Sequence, residues 1–372
     1  MESRVWQTIS FRAGSARLTS AELGGKNVKT NSANKGPARK WGPWTEAKLD
    51  ALESYLQGFT RASASARRTL YLDLLSGSAT NVHRQTGEPI RNSVERALAT
   101  NPPFTRVVAC ELNTASAQDL RTKMDIQFPE RDFVVLEGDC NIEIPSYLKR
   151  ISVEDSGWRL APSFAFVDQF SAEIWWDTLS EVAAFRRPNW KGVHRKTELW
   201  LLFGDSFIPR GLSGVDGDPN KPVNPAYAER IDRMYGTEQW REILCGRQRG
   251  LLSKSEWRLE LVNLMRWRLE RDLGYASTIP LAVPRGNGQV LYHMIFATDE
   301  KVGDRIMTHV LRNAGNALEQ MKRDTKISQM NATTGLFDVE PDHLAAINRE
   351  TSFSLHSPLP PWKLPITQPE PG

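Results

Sequence analysis

The sequence predicts an α/β protein with a doubly wound, mostly parallel sheet, a late antiparallel hairpin and a helical insertion. Five short apolar segments alternate with helical segments between residues 69 and 203, an order typical of a parallel sheet flanked by helices. The first apolar segment, 70–75, breaks into the small residues of 76–80, as expected where a buried strand leaves such a sheet. Two later apolar segments joined by residues 284–288 predict a hairpin.

The predicted elements follow in chain order. An amphipathic helix at 44–62, with apolar residues recurring every three or four positions, precedes the sheet. The strands of the parallel sheet are placed at 69–75, 106–110, 133–137, 164–167 and 198–203. The helices between them are placed at 93–99, 114–127, 146–151 and 174–186. The remaining elements are a helical insertion at about 206–273 (a loop at 206–225, then helices at 226–246 and 254–273), hairpin strands at 275–283 and 289–298, and a helix at 299–322.

Charge and composition divide the 372 residues into three parts. Residues 1–40 carry eight Lys and Arg against two acids, so this segment accounts for the net charge of +4 and the remaining chain sums to −2. We expect a basic disordered arm at 1–40, a folded domain at 41–322 and a Pro-rich tail at 323–372. A basic arm could contact nucleic acid or simply keep the protein soluble. Trp257 and Trp267 could likewise stack on bases or pack in the core.

The sequence lacks the features of several other classes of protein, which makes those interpretations weak. No apolar run approaches the roughly 20 residues of a membrane span, and no long apolar segment typical of a secretion signal opens the chain. Cys110, Cys140 and Cys245 lie far apart and form neither a CxxC pair nor a metal-binding spacing with His. The phosphate-binding loop and paired-acid metal motifs of nucleotide hydrolases and nucleases are also missing. We therefore expect a cytoplasmic protein with reduced thiols, no metal and no membrane contact.

Acidic residues stand close to the end of four of the five predicted strands. They are Asp73, Glu111, Asp139 and Asp168. Ligands of parallel sheets bind outside the carboxyl ends of the strands, and an acid after the second strand can accept hydrogen bonds from ribose hydroxyls. Each acid also has an ordinary structural use, as a turn residue or a helix cap. The arrangement predicts a crevice for a nucleotide-like ligand.

Short sequence motifs indicate which nucleotide-like ligand the crevice binds. The segment from Asp73 to Asn81 resembles the Asp-x-Phe-Ala-Gly-Ser-Gly-Thr loop of amino-methyltransferases. An ordered set of further motifs resembles the three-Cys-motif partner (TcmP) family: Thr86-Gly87-Glu88, Pro102-Pro103-Phe104-Thr105, Gly138-Asp139-Cys140-Asn141, the helix with Ile174, Trp176, Thr178 and Leu179, and residues 292–298. The likeness covers about 41–320. It implies a Rossmann-like class I methyltransferase fold, S-adenosylmethionine as cofactor, and a three-cysteine protein of radical-enzyme type as partner.

The resemblance also implies roles for single residues. In the cofactor loop, Gly77 and Ser78 would lie against the cofactor, and Asp73 would order the loop. Glu111 would hold the ribose, and Asp139 would accept a hydrogen bond from the adenine amine. At the end of the fourth strand, Asp168 would orient an acceptor amine or take its proton, and Phe170 would stack on a planar acceptor.

Three residues depart from the family pattern. Ala79 stands where a second glycine is expected, and its Cβ would crowd the methionine end of the cofactor. Gln169 and Ser171 replace the Pro and Gly of an Asp-Pro-Tyr-Gly turn. Two hypotheses follow. The chain transfers a methyl group to a nucleic-acid or partner-presented nucleophile, or it is a catalytically silent scaffold that binds the three-cysteine partner.

Overall fold

The computed structural model describes residues 39–41, 43–83, 86–213, 223–284, 290–313 and 357–365. The predicted basic arm at 1–40 lies outside these residues except for its last two positions. Most of the predicted tail at 323–372 and the turn of the predicted hairpin also lie outside them. The helix predicted at 299–322 is described as far as residue 313, with helical backbone over 301–313.

The described elements alternate as the sequence predicts. The strands are β1 (Arg39–Trp41), β2 (Leu70–Asp73), β3 (Asn81–His83), β4 (Pro89–Ile90), β5 (Arg106–Glu111), β6 (Phe133–Glu137), β7 (Ser163–Val167), β8 (Glu198–Phe203), β9 (Ser277–Pro284) and β10 (Val290–Thr298). The helices are α1 (Pro43–Ala62), α2 (Ser93–Leu98), α3 (Thr114–Gln127), α4 (Cys140–Glu154), α5 (Trp176–Ala184), α6 (Phe207–Ser213), α7 (Pro225–Tyr235), α8 (Trp240–Gln248) and α9 (Lys254–Arg271), with a 3₁₀ turn at Ser156–Leu160.

One large sheet has the strand order β6-β5-β2-β7-β8-β10-β9. The first five strands in this order pair in parallel, whereas β10 runs antiparallel to both β8 and β9. This order, with its reversed hairpin at one edge, is that of the Rossmann-like class I methyltransferase fold, so the predicted fold class is confirmed. From β2 the chain proceeds to β5 on one side and later to β7 on the other. The topological switch point, where such sheets bind ligands, is therefore the carboxyl end of β2.

Both faces of the sheet are covered, which explains why its parallel strands are continuous apolar runs. Leu70 and Leu72 of β2 point to one face, where they pack with apolar side chains from α4, α5 and α6–α9. Tyr71 points to the other face, towards α1, α2, α3 and the helix at 301–313. Leu72 has no exposed surface at all. The centre of β2 is therefore packed against helices on both faces of the sheet and hydrogen-bonded to β5 and β7.

A second, small sheet is formed by strands within residues 81–90, where the sequence predicts neither a strand nor a helix, and by residues 39–41, two of which belong to the predicted basic arm. Its order is β1-β3-β4, with β1 parallel to β3 and β3 antiparallel to β4. Two or three residues per strand give no recognisable apolar alternation, so sequence reasoning had no signal for it. Asn92 follows this sheet and caps α2, accepting a hydrogen bond from the Glu95 amide at 2.8 Å.

Four helices, α6–α9, occupy the insertion between β8 and β9. Sequence reasoning expected a loop where α6 forms and a single helix at 226–246, which the structure divides into α7 and α8. The break comes at Gly236, whose φ of +61° ends α7 in the left-handed region. A Cβ there would lie 2.6 Å from the ring of Trp176, so the site also requires the absence of a side chain. Trp257 is 2 % exposed and packs in the core, not on the surface.

Residues 357–365 of the C-terminal segment lie along α8 and α9. The Leu359 amide donates to the Asn263 side chain at 3.0 Å, and Asn263 donates back to the Leu359 carbonyl at 3.0 Å. Trp362 covers Gly246, where a Cβ would come within 2.5 Å of its ring. In the described part of the chain, no helix combines the length and the apolar character that crossing a bilayer requires.

Candidate functional site

A cleft of about 920 Å³ opens outside the carboxyl ends of β2, β5, β6 and β7. Its lining combines an apolar floor with four carboxylates and two arginines: Leu74, Leu75, Gly77, Cys110, Glu111, Leu112, Gly138, Asp139, Cys140, Asn141, Asp168, Phe170, Ala172, Glu173, Trp175, Arg230 and Arg233. Burial raises the pKa of the Cys110 thiol, and it raises that of Cys140 to about 12. Both thiols therefore stay protonated and serve as part of the apolar floor.

Five of the seven residues singled out from the sequence line this cleft. They are Gly77, Glu111, Asp139, Asp168 and Phe170. Asp73 and Ser78 are not part of the lining. The convergence follows from the parallel sheet, which brings the carboxyl ends of neighbouring strands to one edge.

Asp73 lies beneath the cleft. It is completely buried, and burial raises the pKa of its carboxyl to about 7. The Tyr71 hydroxyl donates to Asp73 Oδ2 at 3.2 Å, and Oδ1 has no hydrogen-bond partner among the described residues. Asp73 is therefore placed to hold the start of the loop from below, not to touch a ligand in the cleft.

The small-residue loop after β2 is tied to the end of β5. The Ser76 amide and hydroxyl both donate to the Cys110 carbonyl at 3.0 Å. Gly77 has φ of +70°, a conformation that favours glycine, and it brings bare backbone to the cleft. Ser78 turns away, its hydroxyl donating to the Thr80 carbonyl at 3.3 Å.

Ala79 does not obstruct the cleft. Its side chain is 1 % exposed and packs in the apolar cluster on the α1 face of the sheet. Its carbonyl accepts hydrogen bonds from Lys123 Nζ at 2.8 Å and from Asn92 Nδ2 at 3.3 Å. The expectation that its Cβ crowds a cofactor was wrong, because the loop turns this residue into the core.

Glu111 and Asp139 each use one carboxylate oxygen locally. Glu111 Oε1 accepts from the Asn113 amide at 2.9 Å, and Asp139 Oδ1 accepts from Asn141, through backbone and side chain, at 2.9 Å. Asp139 is thereby the N-cap of α4, which starts six residues before the predicted helix. The second oxygen of each carboxylate has no hydrogen-bond partner among the described residues and is available to a ligand. Leu112, 73 % exposed, stands beside them.

Asp168 is paired with a lysine that sequence reasoning missed. Lys48 Nζ lies 2.5 Å from Asp168 Oδ2, and the Lys48 side chain is only 4 % exposed. The ammonium also lies about 6 Å from the ring centres of Phe166 and Tyr292, at 5.9 and 6.0 Å. The available signal was one lysine on the apolar face of α1, next to the buried Ala47 and Leu49.

The turn after Asp168 is fixed by Gln169. This side chain is fully buried, donates to the Leu202 carbonyl at 3.1 Å, and accepts from the backbone amides of Glu173 and Ile174 at 3.1 and 3.2 Å. With a further contact from its Nε2 to Met234 Sδ at 3.8 Å, this amide makes four hydrogen bonds and orders the turn where a proline stands in the Asp-Pro-Tyr-Gly pattern. Phe170, 77 % exposed, stacks on Phe207 with ring centres 5.5 Å apart.

The insertion closes one side of the cleft with positive charge. Arg230 and Arg233 of α7 line it, and the Arg233 guanidinium lies 5.5 Å from the centre of the Trp175 ring. The Tyr227 hydroxyl makes a short hydrogen bond with Ser171, joining α7 to the turn after β7. Sequence reasoning missed these residues because nothing in α7 itself shows which strand end it faces. No group of three His, Cys, Asp or Glu in the described residues is arranged to hold a metal ion.

Comparisons with known proteins give likenesses of fold alone. No family model and no curated protein matches the chain. Among solved structures, a Legionella pneumophila protein of family DUF519 is 10 % identical over 72 % of this chain and 90 % of its own, with a TM-score of 0.40. An O-methyltransferase from Bacillus cereus in complex with SAH is 16 % identical over 71 % and 84 %, with a TM-score of 0.33. A cyclopropane synthase from Mycobacterium tuberculosis is 13 % identical over 68 % and 82 %, with a TM-score of 0.26.

Proposed function

We propose that the chain binds S-adenosylmethionine in the cleft and transfers its methyl group to an acceptor that enters beside α7. The observation that carries the proposal is the pair Glu111 and Asp139, which line one cleft and each keep one carboxylate oxygen without a hydrogen-bond partner among the described residues. Glu111 ends β5 and Asp139 follows β6, and neighbouring strands of a sheet lie about 4.8 Å apart. That spacing suits two adjoining polar parts of one adenosyl group, its ribose and its adenine.

The residues around these acids fit the same ligand. Glu111 would accept hydrogen bonds from the ribose hydroxyls, and Asp139 would accept one from the adenine amine. The exposed Leu112 side chain would cover the adenine ring. Gly77 would let the methionine part approach the main chain closely, with the protonated thiols and leucines of the floor beneath.

When bound, S-adenosylmethionine supplies an electrophilic methyl group, so the protein has to supply alignment and a place for the acceptor's proton. Lys48 fixes the Asp168 carboxylate through Oδ2, and Oδ1 remains to orient an acceptor N–H or O–H. Phe170 offers an exposed ring for a planar acceptor. Arg230 and Arg233 favour an acceptor that carries negative charge, as a nucleic acid does. A partner protein that presents the acceptor is the alternative.

A second candidate is a catalytically silent scaffold, related to the TcmP family, that binds a three-cysteine radical-type protein. One observation favours it: the Asp168 carboxylate is already paired with Lys48, an amine of the chain itself. In this candidate the cleft acids keep only their local roles in capping α4 and ordering the turns.

Calorimetric titration with S-adenosylmethionine separates the two candidates. The first candidate predicts micromolar binding by the wild-type chain, weakened about tenfold or more in Asp139→Asn, because the adenine amine loses its charged acceptor. Asn remains a good helix cap, so Asp139→Asn should melt like the wild type, whereas Asp139→Ala loses both functions. Asp119→Asn, on the exposed side of α3, is the matched control for loss of charge. Absence of heat with the wild-type chain at millimolar cofactor would overturn the first candidate.

A further inference from the structure

The loop that joins α5 to β8, residues 185–197, lies at the edge of the sheet opposite the cleft, because it leads into the amino end of β8. The six residues of β8 place the two edges roughly 20 Å apart. This loop contains five Lys and Arg and no Asp or Glu. Phe185 anchors it in the apolar core, where it is 6 % exposed.

The loop holds a tryptophan out into solvent. Trp190 is 88 % exposed. The turn beneath it is built by Asn189, whose Oδ1 accepts from the amides of Lys191 at 2.9 Å and Val193 at 3.1 Å and whose own amide donates to the Val193 carbonyl at 2.9 Å. The exposure of the indole is therefore a property of an ordered turn. Tryptophan is one of the residues enriched at binding interfaces.

Beside Trp190 is a cavity of about 460 Å³ with arginines in its wall. Its lining includes Arg186, Arg187 and Arg195 together with Leu160 and Val193. The volume is in the range of small-ligand sites and is sufficient for one nucleotide unit.

The cations divide into paired and unpaired groups. Arg195 is paired with Glu300 at 2.5 Å, and Lys196 with Asp299 at 3.1 Å. Arg187 and Lys191 have no ion-pair partner among the described residues, and Lys191 Nζ lies 4.7 Å from the centre of the Trp190 ring. The loop therefore carries surplus positive charge next to its exposed indole.

Arg186 is the least satisfied of these side chains. Its Nε is buried with no hydrogen-bond partner among the described residues, and its Nη1 donates to the Lys196 carbonyl at 3.4 Å. Burial lowers its pKa, an effect opposed by the carboxylates of Glu300 and Glu198. An anion in the cavity would compensate the buried guanidinium charge.

We propose that this loop is a binding site for single-stranded nucleic acid, in which Trp190 stacks on a base and Arg186, Arg187 and Lys191 contact phosphates. An aromatic ring that stacks on bases, set among cations that follow the backbone, is the combination by which proteins hold single strands. Guanidinium groups match the geometry of phosphate oxygens and can bind them through two parallel hydrogen bonds. The proposal does not depend on the proposed function of the cleft, because the two sites share no residue.

The test is fluorescence anisotropy of the full chain with fluorescein-labelled single strands of about twelve nucleotides, one of deoxythymidine and one of uridine. We expect binding of at least one strand, weakened about tenfold or more by Trp190→Ala and less than about threefold by Trp190→Phe. Arg187→Ala and Lys191→Ala should each lower the dependence of log Kd on log salt by about one unit. Arg61→Ala, an exposed cation at the end of α1 on the other face, should change neither quantity.

Equal affinity of the wild-type chain and Trp190→Ala would overturn the proposal, since the strand would then be held elsewhere, as by the basic residues of 1–40. A Trp190-dependent binding of vesicles containing about one-quarter phosphatidylserine, without Trp190-dependent binding of either strand, would also overturn it in favour of a membrane surface. Calorimetric titration of Trp190→Ala with S-adenosylmethionine should match the wild type. Failure of the loop proposal is thereby distinguishable from failure of the cleft proposal.

Discussion

The two edges of the sheet carry opposite chemistry. At the carboxyl ends of the strands lie Glu111, Asp139 and Asp168, around a cleft with an apolar floor. At the amino end of β8 lie Trp190 and a cation-rich loop without acids. A parallel sheet sends all of its strand-to-helix connections to one edge and all of its helix-to-strand connections to the other. The cofactor and the single strand that we propose would therefore bind at opposite edges of one sheet.

An acid at each edge shows that position alone does not make a binding site. Glu198 opens β8 at the amino edge, is 3 % exposed, and accepts hydrogen bonds from Tyr55 at 2.5 Å and Thr298 at 2.6 Å. Both of its oxygens are used inside the protein. Asp139 at the other edge is a partly exposed residue, and one of its oxygens has no hydrogen-bond partner among the described residues. Asp139 therefore has a carboxylate oxygen free for the ligand that we propose, whereas Glu198 has none.

The largest effect should come from the strand that supports both edges. Leu72→Asp places an unpaired charge at a fully buried position of β2, which is hydrogen-bonded to β5 and β7. The cost, several kcal/mol, is comparable with the whole stability of a typical domain, about 5–15 kcal/mol. We expect loss of soluble, cooperatively folding protein, measured by yield and thermal melting, whereas Leu72→Met should fold. A soluble Leu72→Asp variant that melts cooperatively would mean that β2 is misplaced.

A smaller change in stability should follow from substitution of Glu198 at the amino edge. Burial raises the pKa of Glu198 to about 7, above its ordinary 4.5, so the folded state binds this proton more tightly than the unfolded state. Burying the ionised carboxylate lowers the free energy of unfolding. This loss is absent below pH 4.5, grows as the pH rises from about 4.5 to 7, and is then constant. Glu198→Gln removes it. We expect the variant to be about 1–3 kcal/mol more stable than the wild type at pH 8 and similar to it at pH 4.5, in urea unfolding.

Glu130→Gln, on the exposed surface before β6, controls for the loss of one negative charge. Cofactor binding at the opposite edge should not differ between Glu198→Gln and the wild type. A Glu198→Gln variant that is less stable at pH 8 than at pH 4.5, relative to the wild type, would contradict the raised pKa.

The sequence was sufficient to place the strands of the large sheet and the edge where its parallel strands converge, because uninterrupted apolar runs such as that of β2 have few alternatives. It predicted Glu111, Asp139 and Asp168 at one cleft for the same reason. It could not show that Ala79 turns into the core, since the direction of a loop residue depends on tertiary contacts with Lys123 and Asn92. Lys48 was equally inaccessible, because it meets Asp168 across 120 residues of chain.

The surface of α7 shows the same limit. The amphipathic pattern predicts a helix, but not that Arg230 and Arg233 face the cleft. The helix predicted at 226–246 breaks at Gly236 because of the left-handed backbone there and the Trp176 ring beside it. The sequence around Gly236 does not show that Trp176 lies next to it. Local signals thus determined the elements, and contacts between distant segments determined the site.

Ultraviolet cross-linking of S-adenosylmethionine with a radioactive methyl group tests most directly whether the cleft is the site of the cofactor. After digestion, label competed by S-adenosylhomocysteine should be found on peptides from 74–77, 110–112, 138–141 or 168–175. Competed label on 185–197, or on any segment away from the cleft, would contradict the assignment of the carboxyl edge as the cofactor site.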